Sequence, residues 1–111
     1  MENNNTINII RVYFKEVYTD NLTDFVFEAA TRINNVLHPA TITQFKKTCL
    51  VHLQDYFKSM GRPNDNLEIV ETDQYNYSVP EEAPALQDSE ALFRDKWPNK
   101  QVLSFYVRYK A

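Results

Sequence analysis

The chain has 111 residues, 43% of them apolar, with one Gly, five Pro and one Cys. A single Gly excludes the phosphate-cradling loops that need several, and a single Cys excludes an intramolecular disulfide and the Cys-rich zinc sites. Twelve basic and fifteen acidic residues give a net charge of −3, which lacks the basic footprint of a nucleic-acid binder. No apolar run approaches the ~18 residues of a membrane span. Met1-Glu2-Asn3-Asn4-Asn5 has neither the basic nor the apolar part of a signal peptide, so a cytoplasmic protein with one free thiol is expected.

Residues 6–17 are dense in β-branched side chains, and Ile10, Val12 and Phe14 alternate with Arg11, Tyr13 and Lys15, which predicts a strand. Leu22, Phe25, Val26, Ala29, Ile33, Val36 and Leu37 then recur at helical spacing. With Asn21 as N-cap and Asp24 in the first turn, they predict a helix over 22–37, ended by His38-Pro39. Thr41-Ile42-Thr43-Gln44 fits a capping box. It opens a second helix with its apolar stripe on Ile42, Phe45, Cys49, Leu53, Tyr56, Phe57 and Met60. Gly61 supplies its left-handed stop, and Pro63 prevents resumption. The short connection between the two predicts an antiparallel helix pair.

Asn64-Asp65-Asn66 is turn chemistry. Residues 67–72 alternate as a strand, residues 75–79 read as a return strand, and residues 80–85 as a Pro- and Glu-rich loop. Asp88 or Ser89 is placed to cap a short helix running to about Lys96. Trp97-Pro98-Asn99 is a break. Residues 101–110 close the chain as a strand, with Leu103, Phe105, Val107 and Tyr109 alternating with Ser104, Tyr106 and Arg108. A sheet needs its apolar face covered. The expected fold is therefore one α+β domain of two layers, in which two antiparallel amphipathic helices pack on one face of a small, mainly antiparallel sheet.

The chemistry-bearing residues are few. Cys49 and His52 lie three apart on the second helix and are neighbours on its surface, the spacing of a nucleophile pair. Cys49 falls on the apolar stripe, however, where a thiol behaves as a small hydrophobe. Adding His38 gives no zinc-ligand spacing. The carboxylate pairs Glu68/Asp73, Glu81/Glu82 and Asp88/Glu90 fall on an edge and a loop, where solvation is the ordinary role. Lys46, Lys47, Lys58 and Arg62 give the second helix a basic side without interleaved aromatics, which disfavours a nucleic-acid groove. No catalytic set, metal or cofactor is implied.

Charge is distributed unevenly. Residues 65–95 hold nine acidic side chains and one basic, net −8, against +1 for residues 1–64 and +4 for residues 96–111. Within that block Tyr75 and Tyr77 alternate, and Tyr is favoured at contact surfaces for its size, stiffness and polar tip. Glu68, Glu71, Asp73, Tyr75 and Tyr77 are therefore the candidate partner-binding residues.

Phe25-Val26-Phe27-Glu28, the stretch 43–61 and Ile69-Val70-Glu71-Thr72-Asp73 resemble the C-terminal domain of the contractile-tail sheath proteins of phages, a likeness covering residues 22–73. It implies assembly into a virion through strand exchange, without catalysis. The sequence therefore leads to a non-enzymatic protein-interaction or assembly module, a phage tail component where the resemblance holds. The partner is another protein, a second copy included, with no membrane and no nucleic acid. The alternative is a small acidic inhibitor, an immunity or anti-defence protein that occupies a basic site on its target.

Overall fold

The computed structural model describes residues 9–17, 19, 21–71 and 83–110. In chain order the elements are β1 (Ile9–Glu16), β2 (Leu22–Glu28), β3 (Ala30–Ile33), β4 (Val36–Pro39), α1 (Ile42–Ser59), β5 (Leu67–Val70), α2 (Phe93–Lys96) and β6 (Val102–Tyr109). Four strands form one sheet in the order β2-β1-β6-β5, and β3 and β4 form a separate hairpin. β1 is antiparallel to β2 and parallel to β6, and β6 is antiparallel to β5. A parallel pair at the centre requires a long crossover, and everything from β2 to β6 supplies it.

The expected two-helix layer is not what forms. One long helix covers the sheet, and residues 22–39 are strands rather than its antiparallel companion. The apolar residues of 22–29 satisfy two periods at once. At period 3.6 they line one helix face. At period 2 they split, with Phe27 buried on the inner side and Leu22, Asp24, Val26 and Glu28 exposed on the outer. Phe25, Val26, Phe27 and Thr23 are β-formers, and β1 offers a complete antiparallel ladder from Ile9↔Glu28 to Lys15↔Leu22. Ladder and burial together override the helical spacing. Asn34 and Asn35 then take φ of 51° and 65°, the paired left-handed geometry of a tight hairpin turn, where Asn is tolerated. That turn chemistry sits in the last turn of the expected helix and is the signal that spacing alone overlooks.

α1 matches its sequence signals closely. The Gln44 amide donates to Thr41 Oγ1 at 3.1 Å, and the Thr41 amide donates to Gln44 Oε1 at 2.8 Å, closing the capping box. The next orphan amides are held from across the chain: Ile42 donates to the Ala91 carbonyl at 2.9 Å and Thr43 to the Ser89 carbonyl at 3.1 Å. Ser89 thus tethers α1 instead of capping the helix after it. α2 follows Leu92 at its N-cap with no side-chain cap and is a single turn. At the far end Gly61 (φ 70°) donates to the Lys58 carbonyl and Arg62 to the Phe57 carbonyl, a Schellman stop.

Ile42, Phe45, Cys49, Leu53 and Phe57 of α1 pack onto the inner sheet face made by Ile10, Val12, Phe14, Phe27, Leu67, Ile69, Leu103, Phe105 and Val107. Phe45 is the hub of an aromatic cluster, with ring centroids 4.9 Å from Phe27, 4.8 Å from Phe93, 5.4 Å from Trp97 and 5.8 Å from Phe105. α2 plugs the open end of this layer through Phe93, which is fully buried.

Candidate functional site

The outer edge of β5 is closed. Leu86 donates to the Ile69 carbonyl and Glu71 to the Pro84 carbonyl, both at 2.8 Å, and Val70 bridges Ala85. The other edge of the sheet is β2, with which only β1 pairs among the described residues.

The two sheet faces differ sharply. The inner face is covered by α1. The outer face carries Ile9, Arg11, Tyr13 and Lys15 from β1, Leu22, Asp24, Val26 and Glu28 from β2, and Val102, Ser104, Tyr106 and Arg108 from β6, by strand alternation. On it Ile9, Leu22, Val26 and Val102 are 59%, 58%, 46% and 54% exposed. Its charges are largely neutralised within the sheet. Arg11 meets Asp24 at 2.6 Å, and Arg108 meets Glu68 at 2.7 Å. The result over β2, β1 and β6 is a surface of aliphatic side chains and cross-strand ion pairs, whereas the outward Val70 of β5 is fully buried.

The candidate partner-binding residues divide. Glu68 is held by Arg108, and Glu71 by Lys96 at 2.6 Å. A third acid of the block, Asp88, meets Lys46 at 3.2 Å. These carboxylates are tied to bases of their own chain. Asp73, Tyr75 and Tyr77 lie outside the described residues, as does the return strand expected at 75–79. The exposed aliphatic face was missed because its residues sit in strands whose other side is core. The alternations of β1 and β6 predict polar outward faces and Val26 falls on the stripe of the expected helix, so the outward Ile9, Val26 and Val102 do not stand out as one set. The signal was present as apolar residues at consecutive positions, Ile9-Ile10, Phe25-Val26-Phe27 and Val102-Leu103.

Cys49 is fully buried under the sheet, and burial pushes its thiol well above its ordinary value, so the thiolate is suppressed. His52 faces β2. Its Nε2 lies 3.1 Å from Thr23 Oγ1, and its ring stacks on Phe25 with centroids 4.8 Å apart. Burial lowers its pKa, and the nearby carboxylates of Asp24 and Asp55 pull the other way. His52 is thus a packing residue at the edge of the core. His38 lies on β4 and lines an open groove of about 490 Å³ between the β3–β4 hairpin and α1, with Phe27, Ile33, Pro39 and Lys47. Among the described residues, no three His, Cys, Asp or Glu side chains come together to hold a metal. No helix among them is long and apolar enough to cross a membrane.

The strand order, the central parallel pair and one long helix across one face resemble a β-grasp arrangement. No family model matches the chain, and no curated protein matches it. Among solved structures it is similar to the UBL domain of Plasmodium falciparum Dsk2, with 16% identity and a TM-score of 0.48, over 92% of this chain and 99% of that one.

Proposed function

We propose that the protein is a protein-interaction module whose contact surface is the outer sheet face. One observation carries this reading: Ile9, Val26 and Val102, neighbours on three adjacent strands, stand about half exposed or more, while Ile10, Phe27 and Leu103 beside them are buried on the opposite face. Scattered single hydrophobes need no explanation, but a clustered set between neutralised charges is the composition of a contact surface. Pairing Arg11 with Asp24 and Arg108 with Glu68 lets a partner land without stranding a charge, since each base already has its carboxylate.

The acidic-inhibitor reading draws on the −8 block of residues 65–95. It is less well supported, because Glu68, Glu71 and Asp88 are engaged by bases of the same chain. Assembly into a phage tail is a finer form of the same interaction reading. It rests on the motif likeness of residues 22–73 and is open to a direct check, the growth of ordered tubes or rings by the purified chain.

A photo-crosslinking residue tests the contact surface. Placed at Val102 it should capture a protein from native extract, and Val26→Asp should abolish the capture. The same residue at Val51, which is 54% exposed on the far side of α1, should capture nothing comparable. Equal capture at both positions, or capture that survives Val26→Asp, would refute the assignment.

A further inference from the structure

We infer that two copies of this chain join through the free edges of their β2 strands, which pair antiparallel about Phe25 and merge the two sheets into one. The contact is made by backbone groups at the sheet edge, and so stands apart from the side-chain surface proposed above.

Hydrogen-bond parity shows what the edge offers. The Glu16 amide donates to the Asn21 carbonyl at 3.1 Å, while the Arg11 and Val17 amides turn the other way, to the carbonyls of Gln101 and Val107. In an antiparallel ladder, hydrogen-bonded pairs recur at every second residue. Carried along the register, Thr23, Phe25 and Phe27 turn their amides and carbonyls to β1, and Leu22, Asp24, Val26 and Glu28 turn theirs outward. Among the described residues, nothing pairs with these outward groups. The opposite edge of the sheet is covered by residues 84–86. β2 has none of the usual devices that block strand addition. It contains no Pro, Gly or Lys, and its register with β1 runs from Glu28 to Leu22 without a bulge.

The positions of the acids select a second copy and its register. About Phe25, Asp24 stands opposite the partner's Val26, and Leu22 opposite the partner's Glu28. Outward groups meet at both positions, so every outward amide and carbonyl of the two edges finds a partner. Moving the two-fold axis one residue back sets Asp24 against the partner's Asp24. Moving it one residue forward sets Asp24 against the partner's Glu28. Like charges directly opposed disfavour both, and any larger shift leaves outward groups unpaired. The edge is thus complementary to itself in one closed arrangement, the requirement of an isologous two-fold contact. On the inner face Phe25 meets the partner's Phe25 at a non-hydrogen-bonded position, where Cα atoms lie about 4.5 Å apart and aromatic pairs are favourable. Its ring is already held by His52, with centroids 4.8 Å apart. On the outer face the exposed Leu22 and Val26 of each copy come to lie beside those of the other.

Sedimentation equilibrium of the whole chain should show a concentration-dependent dimer. The Val26 amide points away from β1, so Val26→Pro removes a donor to the partner and none from the ladder. It should weaken the dimer at least about tenfold. Leu22 is 58% exposed, so its variants should fold, and they read the register. Leu22→Lys sets a base opposite the partner's Glu28 and should tighten the dimer about threefold, whereas Leu22→Glu sets an acid there and should weaken it. Amide exchange at Asp24 and Val26 should slow as concentration rises, while Phe25 and Phe27, already bonded to β1, should not respond. A chain that stays monomeric at about 1 mM overturns the inference. So does a dimer that survives Val26→Pro, or one that answers Leu22→Lys and Leu22→Glu alike. A dimer lost with Val102→Asp but kept with Leu22→Glu would place the contact on the outer face and also overturn it.

Discussion

Glu16 shows how a single residue is fixed by what surrounds it. It ends β1 on the core side and is 3% exposed. Burial alone would raise its carboxyl pKa. Arg62, 2.7 Å away, together with hydrogen bonds from Thr19 and Asn21, outweighs that penalty and holds it below the ordinary value. A carboxylate depressed in the folded state contributes stability above its unfolded pKa and loses it as pH falls through the folded one. Glu16→Gln should therefore cost about 2 kcal/mol near neutral pH. The gap to the native protein should narrow below about pH 4.5, the ordinary carboxyl value. Urea melts from pH 7 to pH 3 would show it, and a gap constant over that range would be wrong for this account. Cys49 follows the same logic with the opposite result. Nothing offsets its burial, so a thiol reagent should label it only once the chain is unfolded. Rapid labelling of the native protein would place Cys49 somewhere other than under the sheet.

At the scale of elements, α1 and the β3–β4 hairpin are held in contrasting ways. α1 has a closed capping box, a Schellman stop and five buried side chains. Thr41→Ala should cost about 1 kcal/mol in global stability, seen as a lower denaturation midpoint with an unchanged slope. The hairpin buries only Ala30 among its eight strand residues, and Ile33 and Val36 at its tip are more than half exposed. Its shape rests on the turn at Asn34-Asn35. Asn35→Val forces a β-branched residue into left-handed geometry at a cost of about 1–2 kcal/mol. The loss should be local: amide protection over residues 30–39 should fall while the global midpoint barely moves. A large global loss would mean that the hairpin is integral to the core. The same contrast explains what could be read ahead of the fold. α1 carries start and stop signals in its own residues. Residues 22–39 do not, because their apolar positions fit a helix face and a strand face equally, and only pairing with β1 separates the two.

For the whole molecule, stability is concentrated in one aromatic layer. Phe45 is fully buried and touches rings from β2, α2, β6 and the break at Trp97. Phe45→Ala should cost about 3–5 kcal/mol, a large share of the total for a domain of this size. Because Trp97 packs on Phe45 and Phe93, its fluorescence should report the loss directly. A variant that keeps the native Trp97 signal and denaturation midpoint would show that the layer is not the keystone. The packed inner face and the half-bare outer face belong to the same strands. The side that makes the domain stable therefore leaves the other free to serve as its contact surface.

Local chemistry was enough to specify β1, β5, β6 and both ends of α1, since their alternation, capping residues and Gly61 act over a few neighbouring positions. It was also enough to show that Cys49 lies on an apolar stripe. Only the assembled sheet decided that residues 22–39 become strands, that β1 and β6 run parallel at its centre, and that Glu68 and Glu71 are neutralised by Arg108 and Lys96. Those outcomes depend on groups up to 91 residues apart along the chain, whose meeting is a property of packing and backbone pairing rather than of any local pattern. The same holds for the contact surface: Ile9, Val26 and Val102 become one patch because Arg11 pairs with both valines, a register that no stretch of sequence contains.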